Sequence, residues 1–165
     1  MATRMQKTLA KCTSTLEGTS LHTGQTVKLI IKPAEPNTGF KFRRIDLPDK
    51  PFLDASASKV QAVERATTIA DGAVKVHTVE HILSALTGMG VDNAIIEMDA
   101  NEPPIGDGSA LPYVEMIKKA GVVEQNAPLK VWEIREPIMV ENKNGSTIVI
   151  MPSRDFRISL TAVGP

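Results

Sequence analysis

Between Val76 and Val79 this chain changes the period of its apolar pattern, and that change confines it to a mixed fold. Ahead of the change, Val27, Leu29 and Ile31 alternate with Lys28, Ile30 and Lys32, the period-two signature of a strand with one apolar face. Phe40 to Leu47 alternates in the same way until Pro48 and Pro51 end it. Asp71-Gly72, set between Thr67-Thr68-Ile69 and Val74-Lys75-Val76, marks a hairpin. Beyond the change, Val79, Ile82, Leu83, Leu86 and Met89 follow helical spacing, with Thr78 placed to cap the helix and Gly88 or Gly90 to close it. Only Glu80, His81, Ser84 and Thr87 interrupt its apolar surface, so this helix is expected to be covered on more than one side.

Downstream, Asn93 to Met98 reads as a buried strand, and the turn-rich Asn101–Gly108 follows. Ser109 is placed to cap a second helix through Lys119, with Lys118 and Lys119 in its last turn and Gly121 after it. Val122 to Pro128 reads as a linker. Strands are then expected at Val131–Arg135, Ile138–Glu141, Thr147–Met151 and Phe156–Thr161, with a hairpin loop at Asn142–Gly145. The expected fold class is α+β: over residues 1–125, a small, mostly antiparallel sheet with two helices on one face. Residues 126–165 are expected to hold the first strands of a second, similar domain.

Composition excludes several functions. Nineteen basic residues balance nineteen acidic ones, so there is no single-sign field to hold a nucleic-acid backbone or an anionic membrane. Six aromatic residues (Phe40, Phe42, Phe52, Tyr113, Trp132 and Phe156) are too few for a base-stacking platform. No apolar run is long enough for a signal peptide or a transmembrane segment, and the single cysteine fits a reducing compartment, so a cytoplasmic location is expected. Cys12 has no histidine near it in sequence and reads as a small buried hydrophobe; Arg43-Arg44 reads as a solvated strand face.

The chemistry concentrates in His77-Thr78-Val79-Glu80-His81, at the junction of strand and helix. A neutral imidazole is a good zinc ligand, a neighbouring carboxylate can take a proton from water, and a helix start presents free N–H groups to a developing oxyanion. The plain alternative is that Glu80 complements the helix dipole and His81 is an ordinary histidine. The five residues also match H-x-x-E-H, the inverted zinc-peptidase signature, which needs both histidines on one helix. His77 ends a β-like run and is expected to precede the helix.

Five segments in order carry a further signal: Thr15–Gly24, Arg65-Ala66-Thr67-Thr68, Val76–Leu86, Gly90-Val91-Asp92-Asn93 and Glu102–Ser109. Together they resemble the UDP-3-O-acyl-N-acetylglucosamine deacetylase family of lipid A biosynthesis, over about the whole chain. Pro36–Leu47 most resembles the versions fused to a hydroxyacyl-carrier-protein dehydratase.

The resemblance implies a zinc hydrolase of Gram-negative bacteria that removes the acetyl group from a UDP-sugar acyl lipid precursor. Its Thr-Val-Glu-His motif falls on Thr78, Val79, Glu80 and His81, making His81 a zinc ligand and Glu80 the general base. His77 stands where the family usually has Ser, Thr or similar. His22 would lie near the active-site region as a hydrogen-bonded turn residue, and Asp107 would hold its turn and cap the following helix. The family completes its site with a His-x-x-x-Asp pair and a further histidine in its second half, whereas His81 is the last of three histidines here. With three protein ligands the norm for catalytic zinc, the chain is expected to be an N-terminal half, inactive alone and weak or empty in zinc. The alternative is a non-catalytic binding domain of the same fold. The family's two-layer arrangement implies that the half-enzyme leaves its helix layer exposed and self-associates through it.

Overall fold

In the computed structural model, which describes residues 4–162, the chain divides into two compact units, one running through Leu129 and the other from Lys130 onward. The first begins with strands β1 (Met5–Leu9), β2 (Leu16–Thr19), β3 (Thr26–Pro33), β4 (Phe40–Arg44) and β5 (Phe52–Asp54). A short 3₁₀ turn at Ala57–Lys59 leads to β6 (Val60–Ala62), β7 (Thr68–Asp71) and β8 (Val74–Val76). Helix α1 (Glu80–Gly88), β9 (Ala94–Met98), α2 (Leu111–Ala120) and β10 (Val122–Pro128) complete it.

The alternation of β3 does what it predicts. Val27, Leu29 and Ile31 are buried on one face, and β3 pairs with β2 on one side and β9 on the other, in the order β2-β3-β9-β4-β5. All its pairings are antiparallel except β4 with β9, which run parallel. The core unites this face, with Ile96, Met98 and Phe42, to Ile82, Ala85 and Leu86 of α1 and to Tyr113, Met116 and Ile117 of α2. Each large side chain buried there contributes about 1.5–3 kcal/mol of transfer free energy. The α+β class therefore holds, with the antiparallel sheet β6-β7-β8 and the pair β1-β10 beside the main sheet.

Several expectations are corrected. Val122–Pro128 is no linker: it is β10, antiparallel to β1, and a buried amide cluster pins it. Asn93 donates from Nδ2 to Oε1 of both Gln6 and Gln125 (2.8 Å each), while its Oδ1 accepts from the Gly39 N–H (2.8 Å). Arg44 is not solvated. It is 7% exposed, paired with Asp46 through two nitrogens (2.8 and 2.6 Å) and donating to the Lys75 carbonyl (2.8 Å). Arg43 lies over the Phe52 ring and pairs with Glu97 (2.9 Å). Cys12 is exposed, because the segment after β1 leaves the sheet.

In the second unit, β11 (Ile138–Glu141) and β12 (Thr147–Ile150) form the expected hairpin, closed by Asn142, whose Oδ1 accepts from the N–H groups of Asn144 and Ser146. Val131–Arg135 and Phe156–Thr161 are not strands. They make no ladder hydrogen bonds, and an alternating apolar pattern forms a strand only where a partner edge meets it.

Candidate active site

The site grows out of the β8-to-α1 junction. The His77 N–H donates to the Asn101 carbonyl (2.8 Å), and its Nδ1 shares a hydrogen bond with the Thr68 hydroxyl (2.9 Å). Thr78 then takes a left-handed backbone conformation, φ +53°, which a β-branched residue adopts only under constraint. This reversal turns the chain from strand into helix across the three residues between β8 and α1. Thr78 therefore does not cap α1: its hydroxyl donates to Glu102 (2.7 Å), and the cap position falls to Val79, which has no side-chain cap bond.

Val79 is buried and anchors the helix start, its N–H donating to the Thr67 carbonyl (3.3 Å). In return the Thr67 N–H donates to Oε2 of Glu80 (3.1 Å). The backbone of Thr67 thus brackets the first turn of α1 and fixes one oxygen of the Glu80 carboxylate. The other, Oε1, has no protein hydrogen bond among the described residues. Both Glu80 and the adjacent His81 are half-buried, and the His81 ring likewise has no protein partner among those residues. A carboxylate held at one oxygen and open at the other suits a general base, since the open oxygen can accept a proton from water. His77 lies outside α1, so the two histidines do not share a helix as the inverted peptidase signature requires.

His22 occupies the exposed turn after β2, and it is its backbone N–H, at 3.1 Å from both carboxylate oxygens of Glu102, that is bound. Asp107 holds its turn as expected, accepting from the N–H and hydroxyl of Ser109 (2.9 and 2.8 Å), which keep its carboxyl below the usual aspartate range, but it does not cap α2. Ser109 in turn accepts from the Leu111 N–H (3.0 Å), although the formal cap of α2 is Ala110.

Nothing in the residue pattern marks a role for Glu102, yet it is fully buried beneath this site. Burial pushes its carboxyl up, but donors from Thr78, Thr23 and His22 outweigh that and hold it below the ordinary glutamate range. In the sequence it stands at the head of the Glu102–Ser109 segment, ahead of Pro103-Pro104 and between a buried strand and a helix, a position that marks no role for it.

A catalytic zinc takes three protein ligands. Among the described residues no group of three His, Cys, Asp or Glu side chains is placed to hold a metal ion. Glu80 and His81 are therefore too small a donor set to fit a catalytic zinc by themselves.

The family model described as "LpxC: UDP-3-O-acyl N-acetylglycosamine deacetylase" matches residues 6–163. The UDP-3-O-acyl-N-acetylglucosamine deacetylase of Saccharophagus degradans is 46% identical over 144 residues, covering 87% of this chain and 47% of the relative. The protein of the same name from Legionella pneumophila (strain Corby) is 45% identical with the same coverage. A "Bifunctional enzyme LpxC/FabZ" from Porphyromonas gingivalis is 39% identical over 151 residues, 91% of this chain and 33% of that protein. The chain thus spans about half the length of the curated deacetylases it matches. With the family model covering nearly all of it and the Thr-Val-Glu-His segment seated at its helix start, this chain belongs to the LpxC family of UDP-3-O-acyl N-acetylglycosamine deacetylases.

Proposed function

We propose that this chain is the N-terminal portion of a zinc-dependent hydrolase that deacetylates UDP-3-O-acyl-N-acetylglucosamine in the cytoplasm of a Gram-negative bacterium, as a step of lipid A biosynthesis. Glu80 carries the reading. One of its oxygens is held by the Thr67 N–H and the other is open, beside the half-buried His81. In this role Glu80 accepts a proton from the water that attacks the acetamide carbonyl. His81 supplies one metal ligand. The remaining ligands and the acid that protonates the leaving amine are those the family resemblance places in the second half, and this chain spans 47% of its curated relatives. The chain alone is accordingly inactive. No helix among the described residues is long and apolar enough to cross a membrane.

The test is acetate release from UDP-3-O-acyl-N-acetylglucosamine, with zinc supplied, by this chain and by the protein extended to the length of its relatives. Release from the extended protein only is expected. Release from the 165-residue chain refutes its inactivity, and no release from the extended protein refutes the deacetylase reading in favour of a binding domain. Half-covered Leu83 and Val114, with the exposed Leu111, also support self-association of this chain through its helix layer, which a monomeric mass by light scattering refutes.

A further inference from the structure

Glu102 is buried to 0% exposure, and the proposed chemistry does not use it. A carboxylate taken wholly out of water is retained only where donors replace its hydration. Here they come from two separate segments. The turn after β2 supplies the N–H groups of His22 (3.1 Å) and Thr23 (2.8 Å), and the β8-to-α1 junction supplies the Thr78 hydroxyl (2.7 Å). Its own segment is tied to both as well. The Ser20 hydroxyl donates to the Glu102 carbonyl (3.0 Å), and the His77 N–H donates to the carbonyl of the preceding Asn101 (2.8 Å).

The third donor matters most. Thr78 sits at φ +53°, a conformation that disfavours a β-branched residue, and it stands two residues before Glu80 and three before His81. Its rotation decides the direction in which α1 leaves β8, and hence whether Val79 and Glu80 meet the Thr67 backbone. Within the Thr78 side chain, only the hydroxyl can hold that rotation by a hydrogen bond, and Glu102 accepts it.

We propose that Glu102 is a positioning residue for the site. Its buried carboxylate holds Thr78 in the left-handed turn that aims Glu80 and His81. This rests on Glu80 being the base, but the two can be tested apart.

The experiment is amide hydrogen exchange by NMR on this chain, following the N–H groups of Thr67 and Val79, which report contact with Glu80 and the turn. The N–H groups of Leu29 and Ile31 in β3 serve as comparators for global opening. Glu102→Gln leaves three donors competing for one good acceptor, and Thr78→Val removes the donor while keeping the shape. Each is expected to speed exchange at Thr67 and Val79 by about tenfold relative to the comparators. Thr78→Ser, which keeps the hydroxyl, restores the protection, and the double variant Glu102→Gln/Thr78→Val is no faster than the faster single variant. Unchanged exchange at Thr67 and Val79, exchange that rises equally at the comparators, or additive effects in the double variant overturn the proposal. If Glu102→Gln fails to fold, Thr78→Val against Thr78→Ser decides alone: equal protection in both overturns it. Turnover that survives Glu80→Gln in the extended protein overturns the base assignment and leaves the exchange result standing, so the two failures are distinct.

Discussion

Replacing Asn93 by aspartate changes one atom and sets a buried negative charge against two oxygens. The native amide is 1% exposed, and its Nδ2 donates to Oε1 of Gln6 and of Gln125. Neither glutamine can turn its own amide round without loss. Nε2 of Gln6 already donates to Oδ1 of Asn37 and to the Pro128 carbonyl, and Nε2 of Gln125 donates to the Ala34 carbonyl. Asn93→Asp therefore keeps the bond from the Gly39 N–H but loses two donors. Each lost bond costs about 0.5–1.5 kcal/mol net. Oε1 of Gln6 still accepts from the Asn37 N–H (2.8 Å), so among the described residues only Oε1 of Gln125 is left without a donor, at about 1–3 kcal/mol. About 3–5 kcal/mol in all is expected at pH 7, a large part of the ~5–15 kcal/mol stability of an ordinary domain. Asn93→Ala, which loses all three bonds but buries no charge, is expected to cost less than Asn93→Asp.

The aspartate's pKa in the folded state lies above its unfolded value near 3.9, so protonation favours folding. Its penalty is complete above the raised folded pKa and shrinks by about 1.4 kcal/mol per pH unit as pH falls from there toward ~3.9. Urea unfolding followed by circular dichroism at several pH values, each variant against the unaltered chain at the same pH, measures this. A loss below about 1 kcal/mol at pH 7, or a gap between the aspartate and alanine variants that does not change with pH, refutes the view that these amides staple β10 into the first unit.

The buried carboxylates make the unaltered chain acid-sensitive. Glu102 and Glu97 (the latter paired with Lys32 and Arg43) are both held below the ordinary glutamate value of 4.5. The stability they add is present above that value and is lost as pH falls through their lowered folded values, so Glu102→Gln is expected to flatten the acid limb of a stability-against-pH curve. Tyr113→Phe removes the hydroxyl that donates to the buried Pro104 carbonyl, at a cost of about 1–3 kcal/mol and a fall of several degrees in Tm; an unchanged Tm contradicts it. Zinc added to this chain is expected to bind no more tightly than to His81→Ala, read by isothermal titration, because one histidine with a carboxylate beside it leaves catalytic zinc short of ligands.

What could be read from the residues alone divides along the range of the interactions. The strand Val27–Ile31 and the helix from Glu80 are written in local periodicity, and both stand in the structure. The start of that helix is not local. Thr78 has the chemistry of a cap, but an acceptor 24 residues later claims its hydroxyl, and the residue turns left-handed instead. The strand β10 depends on β1, about 120 residues away in sequence, and on the Asn93 amide, so its polar Val122–Pro128 stretch carries no strand pattern of its own. Arg44 is buried for a similar reason: the Lys75 carbonyl and Asp46 accept its guanidinium, and a run of two arginines cannot reveal that. At the candidate site, the motif singles out Glu80 and His81 from the residues alone, whereas Glu102 is evident only from the donors that converge on it.

Acetate release from UDP-3-O-acyl-N-acetylglucosamine by the extended protein, with and without Glu80→Gln, bears most directly on the assignment of the base. If Glu80 takes the proton from the attacking water, the substitution lowers turnover by about 10²–10⁴-fold while bound zinc is retained. Turnover that Glu80→Gln leaves intact contradicts it.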